Sequence, residues 1–267
     1  MTNPFDVGGR IVVLTGGCGQ LGQQWTRALV EAGARVFIVD TVDTVLDWHR
    51  TAGWPVFTFG ASVTDPQAMA DALTLVVDQF GGPPHALVNA AAIDSKPGTP
   101  GGMARPEDYS VEEFRRVMDV NVTGVQVCTQ VFGAAMAEAG RGSIVNISSI
   151  YGNVGVDQRI YEGLRQAGQP FWKPAAYSAS KSALLNLTRY WAAYLAPKGV
   201  RVNTLSLGSM GRDDYHPSFA ETFTAKVPMG RFARPGEFDG ALLWLLSDAS
   251  SYVTGANIVA DGGLTAW

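Results

Sequence analysis

A doubly wound α/β fold in a single domain, a parallel sheet with helices on both faces, follows from three features of the sequence. Short apolar segments rich in β-branched residues alternate with segments of helical periodicity from end to end. The short segments are apolar throughout, which is how strands read when both faces are buried. The chain has 267 residues, 46% hydrophobic and 16% charged, enough for a sizeable core and too little charge for a disordered chain.

The elements follow in order. Arg10 to Leu14 reads as a buried strand ended by glycines. Leu21 to Ala32 has helical spacing and Gly33 closes it. Arg35 to Val39 and Val56 to Phe59 are the next strands, and Asp65-Pro66 opens a helix running to about Phe80, with proline in its first turn. Ala86 to Asn89 is the fourth strand, Val111 to Ala139 a long helix, and Ser143 to Ile147 the fifth strand. Then come a helix over Ala175 to Ala196, a strand over Arg201 to Ser206, a helix over Glu237 to Leu246 and a last strand over Asn257 to Ala260. Three long loops, at about 93–108, 152–174 and 209–228, follow strands. Ligands of such sheets bind beyond the strands' carboxyl ends, so these loops are expected to shape a substrate site.

The net charge is -4 and the pI near 5.4, with no Lys/Arg-rich run, so nucleic acid is not an expected partner. Residues 1–10 do not read as a signal peptide. No apolar stretch reaches the roughly 18 residues that cross a bilayer, so no membrane association is expected. Cys18 and Cys128 predict neither a disulfide framework nor a metal site. The expectation is a reduced, cytoplasmic protein.

Thr15-Gly16-Gly17-Cys18-Gly19-Gln20-Leu21-Gly22 joins the first strand to the first helix. Gly17-x-Gly19-x-x-Gly22 matches the dinucleotide fingerprint. Glycines allow a tight turn and a close approach to pyrophosphate, and the helix N-terminus offers free N–H groups. A glycine-rich turn without a ligand is the alternative. Asp40 ends the second strand, where a carboxylate can accept both adenine-ribose hydroxyls and would repel a 2′-phosphate. Thr41 and Val42 supply no arginine, and Asp43 and Asp47 add negative charge, so NAD is expected rather than NADP. A solvent-facing strand-end aspartate is the alternative. Cys18 reads as a small filler residue, or as a thiol whose pKa the helix dipole lowers.

Tyr177-Ser178-Ala179-Ser180-Lys181 places a tyrosine and a lysine on one helix face. A free tyrosine titrates near ~10, too high for a base at neutral pH. A nearby ammonium favours the phenolate, so Tyr177 could exchange a proton with an alcohol while hydride moves to or from a nicotinamide. An exposed helix pair is the alternative.

Almost the full length resembles the short-chain dehydrogenase/reductase family. The resemblance runs through the glycine loop, Leu87-Val88-Asn89-Ala90-Ala91, Asn121-Val122-Thr123-Gly124, and Gly142 to Ser149. It continues through Tyr177 to Lys181, Gly199 to Asn203, Pro228 to Arg231, Tyr252 to Gly255 and Asp261-Gly262-Gly263. It implies a Rossmann-type fold, NAD as cofactor, a small-molecule substrate, and a homotetramer or dimer. It implies that Ser149 hydrogen-bonds the substrate oxygen and that Tyr177 is the general acid/base. Lys181 would hold the nicotinamide ribose and depress the tyrosine pKa. Asn121 would position a water relaying protons from Lys181; a helix kink at Asn121 and a turn residue at Ser149 are the alternatives. Cofactor contacts carry over to Gly16, Cys18, Gly19, Gln20, Leu21, Gly22, Asp40, Ser62, Val63, Asn89, Ala90, Ala91, Tyr177, Lys181, Gly208, Ser209 and Met210.

The sequence departs from the family pattern in four places. Gln20 replaces a motif glycine, and Gly16, Gly19 and Gly22 match the spacing of the larger epimerase-like branch. Leu207-Gly208 stands where Pro-Gly is usual, followed by Met210 and Arg212 without the common threonine. Ser62 replaces an aspartate near the adenine. An insertion at about 157–173 brings Arg159, Tyr161, Glu162, Arg165 and Lys173 between Ser149 and Tyr177. Its cations would suit a substrate carboxylate or phosphate, or the loop is solvated or a subunit contact. Asn89 to Asp94 and Asp157 to Gly163 resemble a subgroup found with sugar and sialic-acid-like biosynthesis, which would make the substrate a polar sugar-derived alcohol or ketone. An NAD(H)-dependent secondary-alcohol dehydrogenase is the leading expectation. A 3-oxoacyl-thioester reductase, an epimerase or dehydratase, and a non-catalytic NAD sensor are the alternatives. The helices Val111 to Ala139 and Ala175 to Ala196, with Trp191 and Tyr194, and the ending Leu264 to Trp267 are expected to bury faces between subunits.

Overall fold

The computed structural model describes residues 3–42 and 53–267; Asp43 and Asp47 lie outside them. Among these residues seven strands form one parallel sheet: β1 (Ile11–Thr15), β2 (Arg35–Asp40), β3 (Val56–Gly60), β4 (Ala86–Asn89), β5 (Gly142–Ser149), β6 (Val200–Leu207) and β7 (Asn257–Ala260). Their order is β3-β2-β1-β4-β5-β6-β7. The order reverses between β1 and β4, so a crevice opens at the carboxyl ends of those two strands. The principal helices are α1 (Gln20–Glu31), α2 (Pro66–Phe80), α3 (Val111–Met118), α4 (Gly124–Glu138), α5 (Ala175–Leu195), α6 (Pro217–Thr224) and α7 (Asp239–Leu246). This is the Rossmann-type doubly wound architecture that the sequence predicts.

The strands are legible as continuous apolar runs because each feeds two cores. Ile11 and Val13 of β1 pack with Phe37, Leu87 and Ile144 against α2, α4 and α5. Val12 and Leu14 pack with Ile38, Val88 and Val145 against Trp25 and Leu29 of α1 and Leu242 and Leu245 of α7. Successive side chains of a strand point to opposite faces, so one run serves both layers. Local signals set the helix ends. Asp65 caps α2, accepting from the N–H groups of Gln67 and Ala68 at 2.9 and 3.1 Å, with Pro66 at the first helical position.

Three expectations need correction. The long helix over Val111 to Ala139 is not continuous, because residues Asp119–Thr123 form a π turn between α3 and α4. Its widened ring carries Asn121, whose buried side-chain amide bonds the main chain of Ile93 in both directions. The three long loops are partly helical, containing Pro100–Met103, Glu162–Gln166 and α6. Trp191 is not a surface residue: it packs into the core and its indole N–H donates to Gln126 Oε1 at 2.9 Å. Tyr190 and Tyr194, on either side of it, are exposed.

Leu87 lies fully buried in the central strand β4. Leu87→Ala leaves a cavity that the sheet cannot collapse to fill and is expected to cost about 2–5 kcal/mol. Urea unfolding followed by circular dichroism should show the midpoint fall with an unchanged slope.

Candidate active site

The loop from β1 to α1 turns sharply because Gly16 adopts φ +71, and it packs directly on the chain leaving β4. A Cβ at Gly16 would stand 2.7 Å from Ala91 Cα, and one at Gly22 would stand 2.2 Å from Gly16 O. Thr15 fixes the same junction: its Oγ1 accepts the N–H groups of Ala90 and Ala91, each at 3.1 Å. The N-cap of α1 is Gly19, which has no side chain to bond the first-turn N–H groups. An oxyanion can take those donors, and the dipole of this 12-residue helix favours it. Asp40, at the end of β2, reaches back to this loop, where Oδ2 accepts Cys18 N–H at 2.9 Å and Oδ1 accepts Val42 N–H at 3.2 Å. The Cys18 thiol donates to Val42 O at 3.6 Å. Glycine cradle, uncapped helix and strand-end carboxylate together fit the pyrophosphate and ribose of a dinucleotide. Ser62 and Val63 follow β3, the neighbour of β2. Ser62 Oγ lies 2.8 Å from Thr64 Oγ1, and Val63 packs on Gly124.

On the other side of the crevice, Ser149 ends β5 and Tyr177 and Lys181 project from α5. Lys181 is buried, its Nζ donating to Ile147 O at 2.8 Å, while its carbonyl accepts from Ser148 Oγ at 2.8 Å. Asn121 Nδ2 also donates to Ser180 Oγ at 3.0 Å, and Ser180 Oγ donates to Tyr177 O at 2.8 Å. Asn121 therefore ties the loop after β4 to the helical turn that carries Tyr177. Both of its amide N–H groups are engaged by protein, so its side chain has no hydrogen to give a relay water.

A cavity of about 620 Å³ opens beside these groups. Gln20, Leu21, Ser149, Tyr177, Gly208, Ser209, Met210 and Arg212 all reach it. Gly16, Asp40, Asn89, Asn121 and Lys181 do not line it. The segment after β6 is fixed by main-chain bonds, since Gly208 N–H donates to Ala260 O at 2.8 Å and Ser209 O accepts Ala233 N–H at 3.0 Å. Ser209 Oγ lies 3.0 Å from Tyr215 Oη.

The insertion builds the far wall. Ile160, Tyr161, Leu164 and Phe171 form a small core with Phe223 and Val227. Its cations are already paired. Arg159 bonds Asp157, and Arg165 bonds Glu162 and the carbonyls of Gln158 and Phe171. Lys173 forms an ion pair with Asp94, and its Nζ stands 4.0 Å from the centre of the Tyr177 ring. Gln158 clamps the Lys173 main chain, donating to its carbonyl at 2.8 Å and accepting its N–H at 3.1 Å. Of these cations only Lys173 lines the cavity.

Burial dominates the site's electrostatics. It raises the Tyr177 pKa, Asp94 raises it further, and contact with Ser149 opposes the rise. The net shift of Tyr177 is upward, while Lys181 Nζ lies 5.8 Å from the ring centre and donates to Ile147 O. Burial, with Lys173 assisting and Asp94 opposing, brings the Lys181 pKa down to about 8. Tyr151 is pushed up to about 12 by burial, and its hydroxyl lies 3.2 Å from that of Tyr161.

Sequence reasoning missed several supporting residues. Asn89 Nδ2 donates to Asn146 Oδ1, Asn146 Nδ2 to Thr188 Oγ1 and Thr204 Oγ1 to Thr188 Oγ1, at 2.7–2.9 Å. This buried polar chain crosses β4, β5, α5 and β6 beneath the site. Asn146 and Thr204 stand out in the sequence as polar residues inside apolar strands, which is the signal that could have found them. Asp94, Tyr151 and Ser180 carry no such signal, since only folding brings them to Lys173, Tyr161 and Asn121.

Among the described residues no helix is long and apolar enough to cross a membrane, and no three His, Cys, Asp or Glu side chains group as metal ligands. Residues 19–265 match the family model described as enoyl-(acyl carrier protein) reductase. The chain is 34% identical over 263 residues to cis-4-hydroxycyclohexanecarboxylate dehydrogenase of Sinomonas cyclohexanicum, covering 96% of this chain and 97% of that one. It superposes with a TM-score of 0.86 and 29% identity on a short chain dehydrogenase from Leptospira borgpetersenii with bound NAD+, covering 99% and 96% of the two chains. A gluconate 5-dehydrogenase from Burkholderia cenocepacia in complex with NADP and tartrate superposes at 0.84 with 26% identity, covering 99% and 98%. The family-model match over most of the chain and 34% identity over nearly the whole length of a dehydrogenase make this chain a member of the short-chain dehydrogenase/reductase family.

Proposed function

We propose that the protein is an NAD(H)-dependent dehydrogenase that interconverts a secondary alcohol and a ketone. The observation that carries this reading is the meeting of Ser149 and Tyr177 on one cavity that also reaches Gln20 and Leu21 of the glycine loop. We read residues 1–267 as one nucleotide-binding domain, with the loops at about 93–108, 152–174 and 209–228 forming the substrate side. A nicotinamide bound there supplies the hydride acceptor or donor. In oxidation the Tyr177 phenolate takes the hydroxyl proton as hydride leaves the carbinol carbon; in reduction the phenol returns the proton to the carbonyl oxygen. Ser149 holds that oxygen. Lys181 fixes the turn behind Tyr177 and offers its two remaining N–H groups to the cofactor ribose. Asn121 positions the turn.

Asp40 supports NAD over NADP. Both its oxygens already accept main-chain N–H groups, which holds the carboxylate at the place of the adenine ribose. The aromatic wall of Tyr151, Tyr161, Tyr215 and Phe219, with the Asp94–Lys173 pair, supports a polar ring-bearing substrate. Sugar-derived alcohols and carbocyclic hydroxy acids fit that description. A 3-oxoacyl-thioester reductase is the second reading; it shares only the acyl-thioester class of substrate with the enoyl reductases that the matching family model is named for. Exposed Val111, Tyr190 and Tyr194 support self-association, which we read as a homotetramer, and we read the protein as cytoplasmic.

Turnover of NAD across sugars, sugar acids, cyclic hydroxy acids, steroids and acyl thioesters tests the reaction; silence across all of them overturns it. Tyr177→Phe is expected to lower kcat by about 10²–10⁴ while leaving NAD binding intact. The raised Tyr177 pKa keeps the free protein's phenol protonated at neutral pH. The kcat/KM for oxidation should therefore rise as pH increases from neutrality, and that for reduction should stay level. Asp40→Ser is expected to shift the ratio of kcat/KM for NAD over NADP by about tenfold toward NADP, or ~1.4 kcal/mol. Light scattering on Tyr190→Glu/Tyr194→Glu should show smaller particles than the parent.

A further inference from the structure

A parallel sheet collects the starts of its strands at one edge, and here that edge is cationic. His85 immediately precedes β4, Arg10 precedes β1, Arg141 precedes β5, and Arg201 is the second residue of β6. All four line a cavity of about 740 Å³ on the side of the sheet opposite Tyr177. Among the described residues Asp248 is the one carboxylate on its wall, and it pairs with Arg10 at 2.7 Å.

Two of the arginines have structural duties. Arg10 donates to Leu246 O at 2.8 Å, and Arg201 donates to Leu245 O, Ser247 O and Val253 O at 2.8–3.2 Å. They cap the carbonyl end of α7. Arg141 is different. Among the described residues it makes no ion pair, and its guanidinium NH2 group faces His85 Nε2 at 3.2 Å. His85 Nδ1 accepts the Ile11 N–H at 3.1 Å, so in the neutral ring the hydrogen sits on Nε2. Burial, with Arg141, Arg10 and Arg35 around it, lowers the His85 pKa and keeps the ring neutral. A guanidinium cannot accept a hydrogen bond. Two donors thus converge, in a field of positive charge, on a point that needs an acceptor.

We propose that this cavity is a second binding site, for a small multivalent oxyanion held by Arg141 and His85 Nε2–H. Arg10 and Arg201 supply the fixed positive field around it. Oxygens of a phosphoester or of a polycarboxylate satisfy both donors, and a guanidinium can hold either one through two parallel bonds.

The test is a titration of the intact protein with pyrophosphate, and separately with citrate, at constant ionic strength. The readout is the His85 Cε1–H proton resonance, assigned by its loss in His85→Gln. A saturable shift in the millimolar range is expected, with binding about tenfold weaker in Arg141→Gln, which removes the charge of an exposed side chain. Saturation by pyrophosphate alone names a phosphoester ligand, and saturation by both names multivalent oxyanions in general; either supports the site. Pyrophosphate on the glycine loop would bind the parent and Arg141→Gln alike and leave His85 unmoved. A resonance that does not shift, or shifts equally in both proteins, overturns the proposal.

Discussion

Lys181 is bound to strand β5 at both of its ends, through Nζ to Ile147 O and through its own carbonyl to Ser148 Oγ. The rest of the site is set by this reciprocal link. Ser149 is the next residue of the strand, and Tyr177 lies one helical turn before Lys181, so one junction fixes both. The ammonium is buried, and its bond to Ile147 O fixes where it lies. Asn121 and Ser180 then lock the turn from the other side, and Thr15 locks the glycine loop to the chain leaving β4. The crevice is thus a consequence of main-chain anchoring, with the side chains that face it placed by bonds made behind it.

Strands and helix starts were legible because their signals are local. A run such as Ile11 to Leu14 is apolar whichever neighbours it meets, and Asp65-Pro66 caps a helix by its own geometry. The break at Asp119–Thr123 was legible only as a kink at Asn121: Val120, Asn121, Val122 and Thr123 are weak helix formers, but the π turn itself is stabilised by Ile93, 28 positions away from Asn121. The burial of Trp191 was missed for a similar reason, since it depends on Gln126 and on helix α4. In the candidate site, the glycine loop and the Tyr177–Lys181 pair lie within short segments and could be read directly. The net upward shift of Tyr177 could not, because it comes from desolvation and from Asp94, which only folding brings near it.

The insertion shows how charge placement narrows what a loop can do. Asp157 holds Arg159 and also Lys226, while Arg165 is held by Glu162 and two carbonyls. Exposed pairs of this kind contribute little to stability. Their effect is to hold a short aromatic core over the crevice and to leave Lys173 as the insertion's charge facing it. The insertion's own charge on the cavity is therefore Lys173 alone, while Lys96, Arg212, Asp214 and His216 line it from other segments.

The glycine loop also explains its own departure from the family pattern. Gly17 and Gly22 are buried against Ile38 and Gly16, where a Cβ would come within 2.5 and 2.2 Å of neighbouring atoms. Gln20 is the first residue of α1 and is exposed. In evolutionary terms the loop has two kinds of position. At the buried ones any exchange for a larger residue demands a rebuilt backbone, so drift is closed. At the outward one a glycine can be lost without moving a neighbour, so the spacing of visible glycines can change between lineages while the turn itself is inherited unaltered.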